Sequence, residues 1–294
     1  MAGRIRAAFR RAGRRTNVAL LIVLVGAFLS GWAAFAAGTE GPSRVTTIGH
    51  GLLGLGVVAL TPWKTVVARR APALRLASLA LVAVVVVCLV AGFVEVFVGY
   101  GLVAGISPIQ VHVGATFVAV PLLVWHLVRH RRGQVLRRSD LGRRQLLRTV
   151  GFAAGIGAAY VGLEGIGRLA GLPSARRIAS GSHRIPPEAV PATIWLFDRV
   201  PTPPADHWVR VDGREVAMAE LASRAVPVAA RLDCTSGWFA DAEWSAVALR
   251  DLIPGDRLAA ASSILVTSMT GYQRRFPVAD ADALGWPPVS RAVR

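Results

Sequence analysis

The sequence predicts a membrane all-α bundle of four helices plus a fifth anchoring helix, followed by an α+β domain outside the bilayer. Three observations predict it. Hydrophobic residues make up 53% of the 294 positions against 17% charged, and the long apolar runs concentrate in residues 1–170. The 34 lysines and arginines cluster beside those runs. Beyond residue 170, proline and short alternating apolar stretches replace the long ones.

A helix crosses a hydrocarbon core of ~30 Å with ~20 apolar residues. Runs near 17–37, 45–62, 76–98 and 107–128 meet that length or approach it, which defines a four-helix membrane domain over 17–130. The fifth run, 146–170, is rich in glycine. Its "GIGAAY" ends in Tyr160 and follows no strand, so close helix packing explains the glycines better than a dinucleotide fingerprint does.

Basic residues mark the cytoplasmic side of such helices. Arg4, Arg6, Arg10, Arg11, Arg14 and Arg15 fall in the basic N-terminus, 1–16. Lys64, Arg69, Arg70 and Arg75 separate the second and third helices, and the loop 131–145 is strongly basic, whereas the opposite loops carry only Arg44. The N-terminus is therefore expected inside and residues 171–294 outside, in a multi-pass protein of the cell membrane. The net charge of +17 then has a membrane explanation, and nucleic acid is not an expected partner. "GRRQLLRTVG", with Arg143 and Arg144 before an apolar stretch, reads either as a twin-arginine export signal or as an ordinary positive flank.

Ionisable residues within a bilayer are candidates for function. His50 and His112 each fall about five residues into helices that run from outside to inside, so their side chains are expected at nearly one depth. That arrangement suits haem iron ligation from both faces, with Gly49, Gly51 and Gly114 as small neighbours. Interhelical hydrogen bonding is the plainer role for either histidine alone. His126 lies ~21 Å farther along the fourth helix, near the inner surface, beside Trp125. No second histidine from another helix is available at that level, so one outer haem is expected and an inner one is without support. Glu95, near the outer end of the third helix, reads as a proton-handling group or as a carboxylate reaching the interface. Glu164 and Arg168 have the spacing of a helical ion pair.

In the outer part, "TIWLFD" and "HWVRVDG" read as strands, with "VDG" turning into "REV". "MAELASRAV" has helical spacing, "VAARLDC" reads as a strand, "WSAVALRDLI" as a strand and helix, and "SSILVTSMTGYQRRFPVADA" as two strands. Cys234 ends one of these strands and runs into Thr235, Ser236 and Gly237. A lone cysteine is ordinarily a small buried hydrophobe, but a thiolate is also a soft ligand for a redox metal. Cys88 falls inside an apolar helix, so a disulfide between the two is not expected.

Two resemblances extend this reading. "HGLLGLGVVALTPWK" and "HVGATFVAVPLLVWH" resemble segments of bacterial cytochrome b-type membrane domains, over roughly residues 17–130. "LDCTSGWFADAEWSAVALRDLI" is similar to the cofactor segment of the sulfite oxidase family, in particular its membrane-anchored molybdopterin-dependent oxidoreductases of actinobacteria, and "SMTGYQRRFPVADA" to a downstream strand pair. The second resemblance implies a sulfite oxidase-like molybdopterin-binding domain over 171–294. It implies Cys234 as molybdenum ligand, Thr235, Ser236, Gly237 and Trp238 around the pterin, and Trp244 as the second aromatic of a pair. The implied reaction is oxygen-atom transfer on a small oxyanion or an S- or N-oxide, with Arg274 and Arg275 as candidates to attract it. Haem b would link that centre to a membrane quinone or similar carrier. A haem-only electron-transfer protein with a remnant outer domain is the competing reading. The tail "LGWPPVSRAVR" departs from the family's continuation, so the domain is expected to be incomplete at its C-terminus, by truncation or frameshift.

Overall fold

A computed structural model describes residues 13–37, 39–69, 76–129, 142–191, 206–268, 271, 273–280 and 285–286. The predicted strand "TIWLFD", His130 and most of the basic stretches lie outside the described residues. The chain forms two compact units, one comprising 1–184 with Cys234–Trp238, the other 185–233 with 239–294. The first therefore runs past the expected boundary at 170 and includes the cysteine turn.

The first unit holds five helices long and apolar enough to cross a membrane. They are α1 (Arg14–Ala36), α2 (Glu40–Arg69), α3 (Leu76–Phe97), α4 (Pro108–Arg129) and α5 (Arg143–Leu169). Large apolar side chains such as Leu29, Val86, Phe117 and Val161 stay exposed, as expected where lipid is the solvent.

α2 is longer than the expected 45–62 and continues through Pro62. Pro62 has no N–H to meet the Val58 carbonyl, and the threonines beside it bond other carbonyls of the same turns. Thr61 donates to the Val57 carbonyl at 2.9 Å and Thr65 to that of Pro62 at 2.7 Å. α4 opens on a reciprocal cap that fixes where His112 falls: Gln110 Oε1 accepts from the Ser107 N–H at 2.8 Å, and Ser107 Oγ from the Gln110 N–H at 3.3 Å.

Close packing occurs within two helical hairpins, α1 against α2 and α3 against α4, while helices of different hairpins stay farther apart. The hairpins repeat one another. His50, Trp63 and Lys64 of α2 recur at one constant offset as His112, Trp125 and His126 of α4. Asn17, Ala27 and Gly31 of α1 recur as Ser78, Cys88 and Gly92 of α3, at an offset one residue shorter.

β1 (His183–Arg184) belongs to the first unit. In the second unit, β2 (Trp208–Val211) and β3 (Arg214–Ala217) form the predicted hairpin. Its turn places Asp212 at φ 47° and Gly213 at φ 81°, the left-handed pair that a two-residue hairpin needs. The expected helix is α6 (Met218–Arg224) and the expected strand β4 (Val226–Cys234). β5 (Trp238–Ala248) is a single long strand beginning well before the predicted one, and β6 (Ser263–Thr267) pairs with β7 (Gln273–Pro277). A short strand, Gly285–Trp286, pairs antiparallel with Val247 and Ala248, although the tail has no strand periodicity. The core gathers Val216, Leu221, Val247, Leu249 and Leu252, with Val209, Val211 and Ile264 against it.

Candidate functional site

His50 and His112 come together, with ring centroids 5.7 Å apart and planes at 86°. The two rings meet although α2 begins earlier than predicted. Each ring is held by the partner helix of its own hairpin. His50 Nδ1 lies 2.9 Å from the Ala27 carbonyl on α1, and His112 Nδ1 lies 2.8 Å from the Cys88 carbonyl on α3. A carbonyl only accepts, so both Nδ1 atoms carry the proton and both Nε2 atoms keep a lone pair. Among the described residues neither Nε2 has a hydrogen-bond partner.

This is the tautomer and orientation of ligand histidines that are fixed by a hydrogen bond on the second nitrogen. A metal–imidazole bond of about 2 Å on either side, with two ring radii, spans about 6 Å between centroids. The observed separation fits ligation of one metal by both rings. The glycines that seat the rings differ from those expected. An added Cβ at Gly31 would lie 3.0 Å from His50 Cε1, and one at Gly92 would lie 3.0 Å from His112 Nδ1. Gly49 and Gly114 face open space, and Gly51 faces the Tyr160 ring.

The cysteine turn lies in the same unit. Gly237 N–H donates to the Cys234 carbonyl at 3.1 Å, closing the turn, and Gly237 takes φ 89°. The Cys234 sulfur is half-buried, 3.4 Å from Ser236 Oγ, and lies outside the apolar core. Thr235 is exposed, whereas Ser236 and Trp238 are buried. The His183 N–H donates to the Gly237 carbonyl at 2.9 Å.

Glu95 does not reach the interface; it is 6% exposed. A Cβ on Gly237 would lie 2.5 Å from its Oε1, so only glycine fits there. Both carboxyl oxygens of Glu95, Nε2 of His183 and Nε1 of Trp238 are buried without hydrogen-bond partners among the described residues. Sequence reading missed His183. Burial and the Arg177 charge push its imidazole down to about 4, so it is neutral at physiological pH.

Glu164 pairs with Arg177 at 2.6 Å and not with Arg168. The pair lines a pocket of about 320 Å³ together with Arg44, Thr47, Ile48 and Tyr160. Arg274 and Arg275 are neighbours on β7, so their side chains leave opposite faces of the strand. The two do not converge on a single anion, and Arg275 donates to Ser263 Oγ at 2.9 Å.

Among the described residues no three His, Cys, Asp or Glu side chains gather as a metal set. Two imidazoles or a single thiol make an incomplete donor set, one that would suit only a metal whose remaining donors belong to a cofactor. Both cysteines are free, and Cys88 Sγ sits 3.4 Å from His112 Nδ1. No family model, curated protein or solved structure matches this chain.

Proposed function

We propose that the chain is a membrane-bound oxidoreductase of the sulfite oxidase type, in which the helical hairpins bind haem b and Cys234 ligates a molybdenum–molybdopterin centre. The adjacent, carbonyl-anchored pair His50 and His112 supports the electron-transfer part of this reading. The half-buried thiol on a tight turn, together with the resemblance around it, supports the molybdenum part.

Haem supplies one-electron chemistry, and a molybdenum–dithiolene centre supplies two-electron oxygen-atom transfer. The chain's own residues do the rest. Ala27 and Cys88 hold the imidazole tautomers through their carbonyls, Gly31 and Gly92 set the ring positions, and Ser236 orients the thiol. In this reading Thr235, Gly237 and Trp238, adjacent in sequence, would meet the pterin. The orientation proposed from the basic residues puts the N-terminus in the cytoplasm and the cysteine turn outside, on the level of the outer ends of α2 and α4. The electron partner is then a membrane quinone or comparable carrier, and the substrate a small oxyanion or an S- or N-oxide.

One observation favours the haem-only alternative: seven of the β4 residues before Cys234, and Asp233 itself, are exposed, so one sheet lacks the cover expected of a closed cofactor domain. Metal analysis and absorption spectra of the purified protein in detergent separate the two. Molybdenum bound in the wild type and lost in Cys234→Ser, with the haem spectrum retained, supports the oxidoreductase; haem without molybdenum leaves the electron-transfer protein alone.

A further inference from the structure

α2 and α5 meet where the Tyr160 ring packs on Gly51. A Cβ added at Gly51 would lie 2.9 Å from Tyr160 Cε2, so a larger residue there would part the helices. Arg44 stands seven residues from Gly51, toward the start of α2, and Arg168 stands eight residues beyond Tyr160, near the end of α5. At ~1.5 Å of rise per residue, each arginine is ~10–12 Å along its helix from that contact. Both line the pocket of about 320 Å³, a size within the ~300–1,000 Å³ that small-ligand sites occupy.

The chain after α5 supplies the remaining wall. Gly171 turns it back at φ 65°, and the Leu172 N–H donates to the Gly167 carbonyl at 2.9 Å. The returning segment reaches α2, where Thr47 Oγ1 donates to the Ser180 carbonyl at 3.4 Å. Arg177, on this segment, is held by Glu164 at 2.6 Å and by the Ser174 carbonyl at 3.1 Å.

Two of the three pocket arginines are matched by carboxylates: Arg177 by Glu164, and Arg44 by Glu40 on the first turn of α2 at 2.8 Å. Arg168 has no carboxylate partner among the described residues, which leaves one positive charge over. Ile48 and Ile178 give the pocket an apolar wall. Val45 and Leu169, next to Arg44 and Arg168 in sequence, are exposed on helices apolar enough to cross a membrane. A basic rim and an apolar wall at the ends of two such helices match the two halves of a charged amphiphile.

We propose that this pocket binds the phosphate of an acidic phospholipid headgroup, with Arg168 as its counter-charge, Arg44 and Arg177 as further donors, and the acyl chains lying along α2 and α5. Guanidinium groups bind phosphate oxygens in a planar, two-pronged geometry. A zwitterionic headgroup would bring its own cation beside the arginines, so a headgroup of net negative charge is favoured. Bound there, the lipid would tie the segment after α5 to the start of α2. The site is independent of either metal.

The test is native mass spectrometry of the delipidated full chain in detergent, titrated separately with phosphatidylglycerol, phosphatidylcholine and inorganic phosphate. One phosphatidylglycerol per chain is expected to bind in preference to phosphatidylcholine. Arg168→Ala is expected to weaken it ~10–100-fold, the loss of a hydrogen bond between charged groups. Arg148→Ala, an exposed arginine at the other end of α5, is expected to bind as wild type does. Equal affinity for the two lipids, or wild-type affinity in Arg168→Ala, overturns the proposal. Inorganic phosphate that displaces phosphatidylglycerol at equal concentration overturns the lipid as occupant and leaves a site for a soluble anion. If Arg168→Ala fails to accumulate, the preference of the wild type between the two lipids still decides the matter.

Discussion

Replacing Gly92 with alanine puts a methyl carbon 3.0 Å from His112 Nδ1 and 3.2 Å from its Cε1, closer than carbon normally approaches. The ring cannot simply retreat, because Nδ1 is held at 2.8 Å by the Cys88 carbonyl of the same helix. It must shift by a few tenths of an ångström and give up the alignment of that bond. Loss of an orienting bond of this kind typically weakens metal binding ~10–100-fold. Alanine in place of a mid-helix glycine otherwise favours the helix by roughly 0.5–1 kcal/mol. The two effects have opposite signs, so haem loss can be told from misfolding. Gly92→Ala, and Gly31→Ala by the same contact with His50, should keep or raise helix content by circular dichroism while titrating with haem ~10–100-fold more weakly. Gly49→Ala, facing open space, is the control. Wild-type haem affinity in both Gly31→Ala and Gly92→Ala would refute the assignment of these glycines as the seats of ligand rings.

The Glu164–Arg177 pair is largely buried, so Glu164→Gln should cost about 2–3 kcal/mol and lower the melting temperature in detergent, whereas Arg168→Ala should have little effect. An equal loss in both variants would restore the helical pair. His183 is neutral when folded and titrates near 6.5 when unfolded, so the unfolded state binds the extra proton first. Its contribution is fully present above pH ~6.5 and declines as pH falls toward about 4, by roughly 3 kcal/mol in all. Chemical denaturation between pH 7 and 4 should show this slope flattened in His183→Asn. Gly237→Ala, at φ 89° and against Glu95, should destabilise the first unit by roughly 2 kcal/mol or more, read by thermal melting. A melt unchanged from wild type would mean that the turn is not built as described.

The helices were legible in the sequence because length and hydropathy are local, and their matched spacing pointed to His50 and His112 as neighbours. Their seats were not. Gly31 and Gly92 lie on other helices, and only the hairpin packing brings them to the rings. Gly49 and Gly114, chosen for nearness in sequence, face elsewhere. Glu164 was assigned to Arg168 by helical spacing, but Arg177, beyond the helix end, reaches it with better geometry. Glu95 lies near a helix end in sequence, which signals an interface, yet the turn at Gly237 covers it. The hairpin repeat was present in the sequence throughout, in the constant offset of the His, Trp and Lys or His positions. The strands followed their alternation where one face is buried; β4, exposed along most of its length, begins two residues before the "VAARLDC" read as a strand.

The most direct test of the central claim is the low-temperature electron paramagnetic resonance spectrum of the oxidised, purified protein. Imidazole planes 86° apart on one ferric haem predict a highly anisotropic low-spin signal that disappears in both His50→Ala and His112→Ala. A rhombic low-spin signal of parallel imidazoles, or a haem signal that survives both substitutions, would contradict it.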